Sequence, residues 1–78
     1  MAKKKYIDLV AHFSADGRLT PLYLVWEDGS KYEIDRVLDV RRAASLRAGG
    51  YGIRYTVKIR GKERYLFFED TRWFVEEG

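Results

Sequence analysis

Between Arg54 and Phe68 the chain reads RYTVKIRGKERYLFF. Arg54, Lys58, Arg60, Lys62 and Arg64 interleave there with Tyr55, Tyr65, Phe67 and Phe68. Cationic groups neutralise phosphates and flat rings stack on bases, so this composition on one sheet face is the equipment of a single-stranded nucleic-acid platform. Arg41, Arg42 and Arg47 form a second basic cluster upstream. The candidate nucleic-acid-binding residues are therefore Arg54, Lys58, Arg60, Lys62, Arg64, Tyr65 and Phe67, with Arg41, Arg42 and Arg47 beside them. The chain has neither Asn nor Gln, the side chains that read adenine through two hydrogen bonds. Any binding is thus expected to be led by the sugar-phosphate backbone, or biased towards guanine through Arg.

Catalytic equipment is sparse. His12 is the one histidine. Asp8 precedes it on the same strand face, but four extended residues separate the two by ~13 Å, too far for a hydrogen bond that would orient a base. The carboxylate pairs Glu27-Asp28, Glu69-Asp70 and Glu76-Glu77 are sequence neighbours. Strand neighbours point to opposite faces, so Glu69-Asp70 and Glu76-Glu77 read as turn and terminal charges. The AGGYG stretch at Ala48–Gly52 lacks the Lys-Ser/Thr of a phosphate loop and leads into a strand, so its glycines predict a tight bend or bulge. The absence of cysteine excludes thiol and cysteine–zinc chemistry and points to a reducing cytoplasm. The expectation is a cytoplasmic, non-enzymatic binding module with no cofactor and no metal.

Charge is unevenly spread. The net charge of +3 divides into −1 over residues 1–35 (five cations, six anions), +7 over 36–64 (nine and two) and −3 over 65–78 (one and four). The basic middle third either forms a field for a polyanion or is neutralised by acidic flanks that fold back on it. Arg outnumbers Lys nine to six, and the initiator is the only Met. With Asn, Gln and Cys also missing, this is a thermophile tendency. The apolar stretch in MAKKKYIDLV is too short for a secretory leader, and no later run is long enough to span a bilayer, so no membrane association is expected.

The elements that must carry these residues are short strands. Alternation or apolar runs mark Tyr6–Phe13, Leu19–Glu27, Ser30–Arg42, Tyr51–Arg60, Glu63–Glu69 and Arg72–Glu76. Asp28-Gly29 predicts a type I′ turn with Gly29 at positive φ, and Asp16-Gly17 a second turn. In Ser30–Arg42 the apolar parity slips between Ile34, Val37 and Leu38, which predicts a bulge or bend that lets one strand serve two sheet faces. Ala43–Ala48 has room for one helical turn, stopped by Gly49. The fold class is all-β: one domain over residues 1–78, a small antiparallel SH3-like barrel or strongly bent sheet of five or six strands, with at most one short helical turn.

On Tyr51–Arg60, Tyr51, Ile53, Tyr55, Val57 and Ile59 share one face, and Gly52, Arg54, Thr56, Lys58 and Arg60 the other. A two-residue turn at Gly61-Lys62 would pair Arg60 with Glu63, Lys58 with Tyr65 and Thr56 with Phe67, placing Arg54, Thr56, Lys58, Tyr65 and Phe67 on one face. A three-residue turn would expose Leu66 and Phe68 instead, and YLFF is apolar on both faces. Two functional readings follow: weak electrostatic binding of single-stranded nucleic acid, or a protein-interaction module or homodimer using the same face or an exposed strand edge.

From Leu19 to Glu77 the order of signals resembles small β-barrel domains of Gram-positive bacteria: a Trp26-Glu27-Asp28-Gly29 hairpin, the Tyr55-Thr56-Val57-Lys58-Ile59 strand and a terminal Trp73-Phe74 strand. The resemblance implies a small β-barrel and supplies no active residues to carry over.

Overall fold

A computed structural model of the chain describes residues 3–44 and 51–77. Strand follows strand: β1 (Lys3–Phe13), β2 (Leu19–Val25), β3 (Lys31–Glu33), β4 (Arg36–Ala44), β5 (Tyr51–Ile59), β6 (Lys62–Glu69) and β7 (Arg72–Glu77). All pair antiparallel in one sheet, in the order β3-β2-β1-β7-β6-β5-β4. No helix occurs among the described residues, so none is long and apolar enough to cross a membrane.

The two edge strands, β3 and β4, are joined by Ile34 and Asp35 alone. In a flat sheet seven strands wide the edges would lie about 29 Å apart, at ~4.8 Å per strand. Glu33 and Arg36 can be separated by no more than about 11 Å, at ~3.8 Å per Cα step. The sheet must therefore curl until its edges approach. The backbone at the link is bonded to both sides: Ile34 N–H donates to the Leu22 carbonyl (3.0 Å) and Asp35 N–H to the Lys58 carbonyl (2.8 Å). The parity slip in the sequence is this corner. The expected single strand Ser30–Arg42 is two, raising the count to seven, and a bulge at Leu38 falls between Val37 and Asp39 in the pairing with β5.

The inner face carries the core. Leu24, Tyr55, Val57, Ile59, Leu66 and Trp73 are buried together, with Ile7, Leu9, Ile34, Val37 and Phe68 packed against them. Tyr55 reaches across the interior, its hydroxyl donating to the Leu19 carbonyl at 2.8 Å, and burial raises its pKa. Pro21 lies in the half of β2 that β3 does not cover, beside the irregularity at Val10/Ala11 in the pairing with β1.

Three turns differ from the sequence expectation. Asp28-Gly29 is not a type I′ pair. Gly29 has φ +87° as expected, but Asp28 does not have positive φ. Trp26 N–H donates to the Ser30 carbonyl and Gly29 N–H to the Trp26 carbonyl, giving a three-residue loop with glycine in the left-handed position. The Asp28 carboxylate accepts from Ser30 N–H at 2.9 Å, which holds its pKa below the usual range. The β5–β6 turn is Arg60-Gly61 (φ 52° and 77°), not Gly61-Lys62, because the register pairs Ile59 with Lys62. Ala43 and Ala44 extend β4 and so do not start a helical turn, while Ser45–Ala48 lie outside the described residues.

Gly52 allows a close approach of strands. A Cβ there would overlap the Phe68 carbonyl oxygen, a backbone atom that cannot swing aside. Gly52→Ala is expected to destabilise by about 1–3 kcal/mol through overpacking. Gly29→Val is expected to cost more than ~1 kcal/mol, because a β-branched residue tolerates positive φ badly. Urea denaturation of each variant checks both, and an unchanged midpoint in either would contradict the geometry described.

Candidate nucleic-acid interface

The register of β5 with β6 pairs Thr56 with Tyr65, Arg54 with Phe67 and Lys58 with Glu63. It is displaced by two residues from the pairing expected for a Gly61-Lys62 turn. A displacement of two leaves every side chain on its own face. Arg54, Thr56, Lys58, Tyr65 and Phe67 therefore share the outer face, as expected, though with different neighbours.

This face continues across β7 and β1, which no local pattern in the sequence indicates. Phe67 pairs with Phe74, and Phe74 with Tyr6. Their rings form a row: Tyr65 edge-on to Phe67 (6.5 Å between centroids), Phe67 stacked on Phe74 (5.0 Å, 9°), and Phe74 edge-on to Tyr6 (5.9 Å). The middle of the row is closed and its ends are open. Phe67 is 2% exposed and Phe74 1%, whereas Tyr65 is 47% and Tyr6 40% exposed. Lys4 reaches from β1 to Glu69 on β6 (2.8 Å), and its ammonium lies 5.1 Å from the Phe74 centroid. The bond to Glu69 raises the Lys4 pKa. At the far end the Arg72 guanidinium lies 3.8 Å from the Tyr6 centroid. Tyr65, not Phe67, is thus the ring of the hairpin that a base can reach.

Four cations lie on the β4–β5 half of this face. Arg36 pairs with Lys58, and Arg41 stands directly opposite Arg54. Like charges facing each other across a strand pair repel. Asp39 relieves Arg41, accepting from its Nε at 2.7 Å. That bond, with the positive charges of Arg41 and Arg54, lowers the Asp39 pKa, and the same pair raises that of Arg41. Arg54 gains no such partner. Its guanidinium lies 4.7 Å from the Tyr65 centroid, and its Nε is buried without a hydrogen-bond acceptor. No ion pair holds Arg36, Arg54 or Lys58 among the described residues. On the other half, Asp8, Glu69 and Glu76 share the face with Lys4 and Arg72, so positive character concentrates on β4–β5.

The remaining expected site residues go elsewhere. Arg60 occupies the turn with its guanidinium over the Tyr32 ring (4.7 Å). Lys62 pairs with Ile59 and Arg64 with Val57, which places both on the side of the core. Arg64 rims a cavity of about 500 Å³ walled by Trp26, Tyr32, Ile59 and Leu66. Arg42 stands opposite Ile53 on the inner side. Arg47 lies outside the described residues. Arg36, Tyr6, Lys4 and Arg72 were not among the expected residues. Arg36 belongs to the basic third, but the bulge after it hides its parity. Tyr6 and Arg72 join the face only through long-range pairing. His12 is exposed opposite Thr20, and among the described residues no three His, Asp or Glu side chains converge as a metal site.

No protein-family model matches the chain, and no curated protein or solved structure matches it either.

The ring row predicts two separable classes of variant. Phe74→Ala is expected to cost about 3–5 kcal/mol, as for a buried aromatic truncated in a packed core. Tyr65→Ala is expected to cost less than about 1 kcal/mol, since half of its surface is already in water. Denaturant titration distinguishes them. Equal losses would mean that the ring row is not closed in the middle.

Proposed function

We propose that the protein binds single-stranded nucleic acid on the outer face of β4, β5 and β6. Arg36, Arg41, Arg54 and Lys58 meet phosphates and Tyr65 offers its ring to a base. The observation that carries the reading is the state of Arg54. Its guanidinium is laid on a half-exposed tyrosine, opposite a second guanidinium, and its buried Nε has no acceptor. A phosphate on this face would neutralise the guanidinium, which no ion pair holds among the described residues. Arg60, Lys62, Arg64 and Arg42 contribute long-range attraction rather than contacts on this face. Lacking Asn and Gln, the surface recognises the backbone and discriminates weakly among sequences. Within the curled antiparallel sheet we read an SH3-like barrel, working as a cytoplasmic binding module without catalysis. A second reading, a protein-interaction module, is favoured by the open edge of β4, where Leu38 and Val40 are exposed.

Fluorescence anisotropy with labelled single-stranded and duplex oligonucleotides over a salt series tests the proposal. With single strands, the slope of log K against log salt is expected to flatten by about 0.7 for each phosphate that a variant no longer neutralises. Arg54→Ala combined with Lys58→Ala should therefore weaken all sequences alike and reduce the slope. Tyr65→Ala should cost ~1–3 kcal/mol with single strands and much less with duplex. Arg42→Ala should leave the slope nearly unchanged, because that side chain is on the other face. Absence of binding at low salt, or binding indifferent to Arg54, Lys58 and Tyr65, would rule the interface out.

A further inference from the structure

β4 is the last strand of the sheet, and among the described residues no strand pairs with its outer edge past the bulge at Leu38. Its outward N–H and C=O groups are a template for another strand. The edge is also apolar: Leu38 is 41% and Val40 50% exposed. On either side of Val40, Asp39 and Arg41 project from the outer face with opposite charges.

We propose that the partner of this edge is a second copy of the chain, with β4 antiparallel to β4 about a twofold axis at Val40. In an isologous pair each contact is made twice. An axis normal to the sheet keeps outer side chains on the outer face, so it must pass through a residue paired with its own copy. Centred on Asp39, the pair would set two carboxylates against each other. Centred on Arg41, it would oppose two guanidiniums. Centred on Val40, it sets Asp39 opposite the partner's Arg41 and Arg41 opposite the partner's Asp39, while the two valines meet. Charge thus selects one register. The pairing continues the sheet from one molecule into the next and brings the two β4–β5 basic halves side by side. It stands independently of the nucleic-acid reading.

The test is the mass in solution of the full chain, without nucleic acid, by sedimentation equilibrium over a dilution series into the millimolar range. The wild type is expected to dimerise reversibly. Asp39→Arg and Arg41→Asp should each weaken self-association at least about tenfold by placing like charges across the axis. Mixed in equal amounts, the two variants should associate with each other, because each supplies the charge the other lacks. Far-UV circular dichroism verifies that both are folded, and Asp39→Lys with Arg41→Glu serve as the second pair if one is not. A wild type that stays monomeric throughout the series overturns the proposal and leaves the edge to a strand of another protein. Variants that dimerise like the wild type, or a mixture that stays monomeric, overturn it as well. The readout is mass, so any loss of nucleic-acid affinity in Arg41→Asp does not enter.

Discussion

Two residues, Ile34 and Asp35, tie together the opposite edges of a seven-stranded sheet, and the rest of the structure follows from that tether. A sheet held at both edges cannot lie flat, so it encloses its own inner face. Residues far apart in sheet order then meet across the interior, as Tyr55 of β5 does with the backbone at the start of β2. The bulge at Leu38 is the local consequence. The strand that turns the corner carries one extra residue, which re-aims the side chains after it. Were Leu38 taken into the ladder in regular alternation, Asp39 and Arg41 would point inwards, and the β4 edge would not display them.

A chain of 78 residues encloses little volume, and its inner face alone offers few positions for large side chains. This protein also buries aromatic surface on the outside of its sheet. Phe67 and Phe74 stack there under the side chains of Lys4, Tyr6 and Tyr65. The Lys4–Glu69 ion pair is worth little as a Coulomb interaction at a surface. Its larger effect is to hold an aliphatic stem across a phenyl ring and exclude water from it. The ring row therefore ties β1, β7 and β6 on the outside, as the core ties them on the inside.

The same register sorts the charges. Cations that crowd fifteen residues of sequence separate in space, because alternate strand positions face opposite ways and the turn takes one of them out of the strand. Arg54 and Lys58 stay on the outer face, where β4 adds Arg36 and Arg41. Arg64 and Lys62 leave it for the rim of the inner face. The acidic C-terminal segment places Glu69 and Glu76 on the face at β6 and β7, leaving β4–β5 as the cationic half.

The sequence by itself determined what depends on parity. Strand side chains alternate with a period of two, so the division of Tyr51–Arg60 into two faces, and the slip at Val37 and Leu38 that becomes the bulge, are legible locally. The membership of the outer hairpin face is legible for the same reason, since a register displaced by two residues preserves it. Tertiary structure alone decided which residues stand opposite one another, because YLFF is apolar on both faces and does not penalise a displaced pairing. It also decided that Phe67 is covered while Tyr65 is open. The ring stacked on Phe67 is Phe74 of β7, and no local pattern encodes which distant strand will lie beside it. Likewise, nothing near Arg41 in sequence announces Arg54 as its neighbour. That juxtaposition is set by the antiparallel register of β4 with β5, which shifts at the Leu38 bulge.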